Sequence, residues 1–221
     1  MHILLIILFV ALIVGPSLWV KMVIRQHSKD RSDYPGTGGE FARHILDQLG
    51  LQHITVEPTN RGDHYDPMEK SVRLSPAHFD GRSLSAVAIA AHEVGHAIQD
   101  RDDYKPFVKR LKMVRIEQFM VLGVRFLSLI PLAGAVFSGV PQFAFLILLF
   151  FIMTGVVAFG VRLINLDVEF DASFNKALPI LENGYLPPED LPAARTILRA
   201  AALTYLSGAL IMILRLLFLR R

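Results

Sequence analysis

The chain has 221 residues, of which 52% are hydrophobic and 19% charged, with a formal net charge of +3 and no cysteine. A charged fraction below the usual quarter excludes a disordered or nucleic-acid-binding tail. The lack of thiols excludes disulfides, thiolate metal sites and cysteine nucleophiles, so any metal must be held by His, Asp or Glu.

Hydrophobicity is concentrated at residues 1–20, 119–164 and 197–219, whereas 21–115 has an ordinary soluble composition. This pattern predicts a mainly α integral membrane protein with three to four transmembrane helices and a small α+β cytoplasmic insertion. Ile3 to Val20 carries no charge and is long enough to cross about 30 Å of hydrocarbon. With only Met1-His2 before it and no small-x-small site after it, 1–20 reads as an uncleaved anchor and not a signal peptide. Lys21, Arg25, Lys29 and Arg31 follow directly, which places the C-terminal side of the anchor in the cytoplasm.

The cytoplasmic region is expected over 21–115. Glu40 to Leu49 puts Phe41, Ile45, Leu46 and Leu49 on one helical face, and Gly50 stops it. Ile54 to Glu57 reads as a strand ended by Pro58, residues 60–67 (NRGDHYDP) as a turn cluster, and Lys70 to Leu74 as a second strand. Arg82 or Ser83 then opens a helix through SLSAVAIAAHEVGHAIQ. Beyond it, Phe126 to Val161 is free of charge and predicts a transmembrane hairpin over 116–164, turning near Ser138 to Gln142. Residues 165–196 return to the cytoplasm, and 197–221 form a last membrane helix, short enough to be either spanning or interfacial.

The chemistry centres on His92-Glu93-Val94-Gly95-His96. Residues four apart share one helical face, so both imidazoles can bind one ion. Glu93 lies about 100° round the helix from His92, which leaves its carboxylate free to act as a base on water. Chance produces H-E-x-x-H about once in 100 chains of this composition. The alternative, a surface helix with two satisfied histidines, fits poorly with the small apolar run Ala86 to Ala91, which predicts burial. A third ligand is needed. The position six residues after His96 holds Asp102, but Gln99 stands where a turn back to it would want glycine, and Asp102 reads as a solvated helix end. Later, Asp167 and Asp171 share one face of a helix and Glu169 points elsewhere, leaving the third ligand open among acidic residues. His44, His53 and His78 lie outside any ligand spacing.

The runs SLSAVAIAAHEVGHAIQD, VEFDASFNKAL and AALTYLSGAL, with GGEFARHIL and HYDP…VRLSP before them, resemble the YugP-type membrane zinc metallopeptidases across nearly the whole chain. More distantly they are similar to the heat-shock membrane proteases and the CAAX prenyl endoprotease. The resemblance implies a zincin-like insertion and one Zn²⁺ held by His92, His96 and Glu169. It makes Glu93 the general base and leaves Asp171 as the rival third ligand, or else as a side chain that supports a ligand or the oxyanion. Where the distant relatives carry an Asp four residues after the third ligand, this chain has Ser173, whose hydroxyl could hydrogen-bond a ligand.

The expected activity is therefore a membrane-bound zinc endopeptidase of the inner membrane, multi-pass, with its site facing the cytoplasm. Its partners would be peptide or membrane-protein substrates and the lipid bilayer, with no nucleic acid. The alternative keeps the zinc in a membrane adaptor or chaperone without turnover, in which Glu93 would have no use. A transporter or channel subunit is opposed by the charge-free hairpin. His64 and Tyr65 in the turn cluster, and Tyr185, are the available types for stabilising an oxyanion. Val72 to Leu74 would be either an edge strand pairing with substrate or an inner strand of a small sheet.

Overall fold

A computed structural model describes residues 2–129 and 141–203. The chain divides into two compact units, one made of Met1–Tyr104 with Leu166–Arg221 and the other of Lys105–Asn165.

The first unit begins with helix α1 (His2–Gln26) and the loop that follows it. That loop is held by Arg31 and Tyr34, which donate to the two carboxylate oxygens of Asp190, each at 2.7 Å. Helix α2 (Gly38–Gln48) starts two residues earlier than its apolar pattern suggests, because Thr37 and Glu40 close a reciprocal capping box. The early start also needs Gly38: a Cβ there would stand 2.2 Å from the His78 carbonyl oxygen and 2.8 Å from that of Ala86. Phe41, Ala42, Ile45 and Leu46 form its buried face, and Gly50, with φ +72, ends the turn.

Three short strands follow, β1 (Thr55–Pro58), β2 (His64–Asp66) and β3 (Ser71–Leu74), in the order β1-β3-β2. β1 runs parallel and β2 antiparallel to β3. Strand β2 lies inside the expected turn cluster, too short for its alternation to show. Strand β3 is the inner strand, paired on both sides, so of the two roles open to Val72–Leu74 the edge role is excluded. Its neighbour α3 (Pro76–Phe79) is a single turn.

Helix α4 (Leu84–Arg101) is the centre of this unit, buried without interruption from Leu84 to Gln99. Alanines at 86, 88, 90, 91 and 97 let neighbouring backbones come close on several sides. Ser83 caps it, accepting from the Ala86 amide at 3.2 Å. Ser83→Ala is expected to cost about 1 kcal/mol, read as a lowered thermal midpoint.

The second unit contains helix α5 (Lys105–Leu129) and most of α6 (Pro141–Phe170), which approach each other at Gly123, where a Cβ would stand 3.2 Å from the Phe150 ring. The last turn of α6 belongs to the first unit. It passes into a π-helical segment Asp171–Ala177, a short α turn Leu178–Ile180 and a second π-helical turn Leu181–Tyr185, which breaks at Gly184 with φ +97. After a 3₁₀ turn at Pro188–Asp190, a closing helix runs over 191–203, burying Ala194, Ile197 and Leu198.

The protein is thus mostly helical with one small three-stranded sheet, and this corrects the expected membrane architecture. Among the described residues no helix is long and apolar enough to cross a membrane. The three to four transmembrane helices, the multi-pass inner-membrane placement with a cytoplasm-facing site and the bilayer as a partner are not upheld. The physical reason is that the helices run on past their uncharged stretches into charged turns. The residues before the expected hairpin and its first arm share one helix, α5, whose early turns carry Lys105, Lys109, Arg110, Lys112, Arg115 and Glu117. Helix α6 likewise runs on past its apolar residues into Asp167 and Glu169. The expected hairpin turn at 138–140 and the C-terminal segment from 204 onward lie outside the described residues.

Candidate metal centre

Two segments far apart in sequence build the site. Helix α4 supplies His92 and His96, one turn apart, with ring centroids 4.8 Å from each other. The final turn of α6 supplies Glu169. One carboxylate oxygen, Oε2, lies 3.0 Å from His92 Nε2 and 3.3 Å from His96 Nε2. Among the described residues, this trio has ligand atoms lying within 4.8 Å of one another. All of it is buried: His92 is 4%, His96 6% and Glu169 1% exposed, and Glu93 beside them 6%.

Close approach of the two segments depends on Gly95, in the middle of the histidine motif. A Cβ on Gly95 would stand 2.6 Å from the Ala172 carbonyl oxygen, so only glycine lets the π-helical segment lie against α4 at this level. The wider π turn begins directly after Phe170 and carries Ser173 into the interior, where it is fully buried. Glu169 and Ser173, four residues apart, both reach His92. The carboxylate meets Nε2, and the hydroxyl lies 3.0 Å from Nδ1.

The hydrogen-bond directions around His92 test whether a cation fits. Ser173 donates its hydroxyl proton to the Leu198 carbonyl at 3.0 Å, so it can only accept from His92 Nδ1–H. A neutral His92 then presents a bare Nε2 lone pair to a carboxylate oxygen, acceptor against acceptor. A divalent cation with nitrogen and oxygen ligands resolves that conflict, and two imidazoles with one carboxylate are a donor set suited to zinc. Glu169 is prepared for the role. Burial pushes its carboxyl pKa up, but positive charge on the imidazoles of His96 and His92 more than offsets this and holds it well below the usual carboxylate range, and a cation among the three would act in the same sense.

A family described as "Putative neutral zinc metallopeptidase" matches residues 2–220. The chain belongs to this zinc metallopeptidase family. It is also 38% identical over 210 residues, 92% of this chain and 89% of the relative, to a Bacillus subtilis (strain 168) protein called "Putative membrane protease YugP". No solved structure matches the chain. Family membership bears out the resemblance read from the sequence and the zinc cofactor with it.

In this member of the family, the remaining expected site residues fall in different places. Asp171, 9% exposed, accepts from Gln99 Nε2 and Asn175 Nδ2, each at 2.8 Å, and Glu169 takes the place beside the histidines. His64 Nδ1 is bonded to the Gly62 carbonyl at 2.8 Å. Tyr65 donates to Asp100 at 2.6 Å, a carboxylate also held by Lys70. Tyr185 packs edge-on against Phe41 with centroids 4.3 Å apart. Asp102 pairs with Arg101 and Lys176 at the end of α4, as a solvated helix end should. His78 is bonded to Asp63 at 2.8 Å, away from the trio.

Two groups that support the histidines were not foreseen. One is the Leu198 carbonyl behind Ser173, which no local pattern could reveal. The other is Gln99, whose Oε1 lies 3.0 Å from His96 Nδ1. Its signal was present, since residues three apart share a helical face.

Proposed function

We propose that this chain is a zinc-dependent endopeptidase in which His92, His96 and Glu169 hold one zinc ion and Glu93 is the general base. The observation that carries the reading is the convergence of two imidazole nitrogens and one buried carboxylate oxygen, with His92 already oriented by Ser173. Zinc held there would polarise a scissile carbonyl and lower the pKa of water toward about 7.

The protein's own groups do the remaining work. Glu93 takes the proton of the attacking water and returns it to the departing amine. Ser173 keeps the His92 ring turned so that Nε2 faces inward. Burial of the donor set excludes bulk water and strengthens each charge interaction around the reacting bond. An adaptor role without turnover is less well supported, because a structural metal has no use for a buried carboxylate one position after its first histidine ligand.

Metal removal tests the proposal. Purified protein is expected to contain one zinc per chain by elemental analysis, with cleavage of an unstructured polypeptide lost on chelation and regained on adding zinc. Glu169→Gln is expected to lower zinc affinity at least about 10-fold, since it replaces an anionic ligand by a neutral one. Metal-free protein that cleaves at the native rate would refute the reading.

A further inference from the structure

Gln99 is a fully buried polar side chain at the junction of the two ligand-bearing segments. It stands on α4, three residues past His96, and spends its whole amide on groups around the donor set. Its Nε2 donates to the Val168 carbonyl and to Asp171 Oδ2, each at 2.8 Å, while Oε1 lies 3.0 Å from His96 Nδ1. A backbone carbonyl can only accept, so the NH₂ end must face Val168 and the oxygen must face the histidine. Against that oxygen, His96 must carry its proton on Nδ1, which turns a bare Nε2 toward Glu169. Val168 directly precedes Glu169, so the same amide also grips the backbone that presents the carboxylate. Asp171 is anchored in turn, its other oxygen accepting from Asn175 at 2.8 Å.

We propose that Gln99, braced by Asp171, is a positioning residue for two of the three zinc donors at once, fixing the tautomer of His96 and the placement of Glu169 relative to it. Asp171 thereby has a role that does not involve touching the metal. The inference rests on the zinc reading above, and two readouts keep their failures apart.

The first readout is the ¹⁵N spectrum of labelled imidazoles in the metal-free full-length chain. Native His96 is expected to keep a proton on Nδ1 in every form, and Gln99→Leu to populate the tautomer whose only proton is on Nε2. The second is zinc affinity, measured by competition with a chromophoric chelator. Gln99→Leu is expected to bind zinc about 10–100-fold more weakly. Gln99→Glu alone, which sets a carboxylate against Asp171 and the Val168 carbonyl, should also weaken binding. Combining it with Asp171→Asn should recover at least about threefold of the lost affinity, a step of roughly 0.65 kcal/mol, because it relieves the clash at 171 and leaves the one at the Val168 carbonyl. The amide introduced at 171 can then donate to the carboxylate introduced at 99, which still accepts from His96.

Native affinity in Gln99→Leu, with His96 keeping a proton on Nδ1 in every form, would overturn the inference while leaving the zinc reading intact. Should that variant not fold, a double variant no better than Gln99→Glu alone would overturn it equally. A native chain with no affinity for zinc would overturn the zinc reading, and the tautomer measurement would still decide whether Gln99 orients His96.

Discussion

Glu93→Gln is expected to reduce peptide hydrolysis by a factor of about 10²–10⁴ while the protein keeps one equivalent of zinc. The substitution preserves side-chain shape and removes only the ability to accept a proton, so the effect falls on the rate and not on assembly of the site. Glu93 is buried on α4 directly after His92, at about 100° round the helix from it. Activity and zinc content of the same preparation decide the matter. Glu169→Gln serves as the contrast, because there metal and activity should fall together. Native activity in Glu93→Gln would remove the assigned base, and loss of zinc in that variant would make Glu93 part of the metal-holding set instead.

Gly95→Ala is expected to disrupt the candidate metal centre by adding a single methyl group. The added Cβ would meet the Ala172 carbonyl oxygen at 2.6 Å, and the obstacle is backbone, which cannot rotate away as a side-chain tip could. Relief requires the π-helical segment to withdraw from α4, carrying Ser173 and Glu169 with it. Overpacking of this kind costs about 1–3 kcal/mol, and the displaced donors should weaken zinc binding at least about 10-fold. Thermal midpoint and zinc affinity are the measurements. Gly155→Ala on α6 is the control, since a Cβ there meets nothing within 4 Å and improves helix propensity. If Gly95→Ala matched the control in both measurements, the close approach at Ala172 would not matter to the site.

Much of the ligand-bearing helix could be read from the chain itself. Ser83 as a cap, the small-residue run to Ala91 and the spacing of His92 and His96 are all local features, and local features survive folding. Glu169 is different. Nothing within a few residues singles it out from Asp167 or Asp171, and only the resemblance to other metallopeptidases pointed to it. The helix phase alone favoured the pair at 167 and 171, yet Asp167 is exposed and Asp171 serves Gln99 and Asn175. The wider π turn after Phe170 also changes which side chains face α4, and no residue type announces it. Strand β2, only three residues long, was hidden among turn formers because its order comes from pairing with β3. The membrane reading failed for a related reason. Counting uncharged residues ignores where helices begin and end, and α5 combines basic turns with the apolar stretch that follows.

The first compact unit is discontinuous, its two stretches separated in sequence by Lys105–Asn165. A chain growing on the ribosome therefore displays both imidazoles well before the carboxylate at 169, and the Leu198 carbonyl that steadies Ser173 emerges later still. Under the proposed assignment, a nascent or truncated polypeptide ending before this point is hydrolytically inert, and the order of synthesis itself delays the cutting activity until the surrounding structure can contain it.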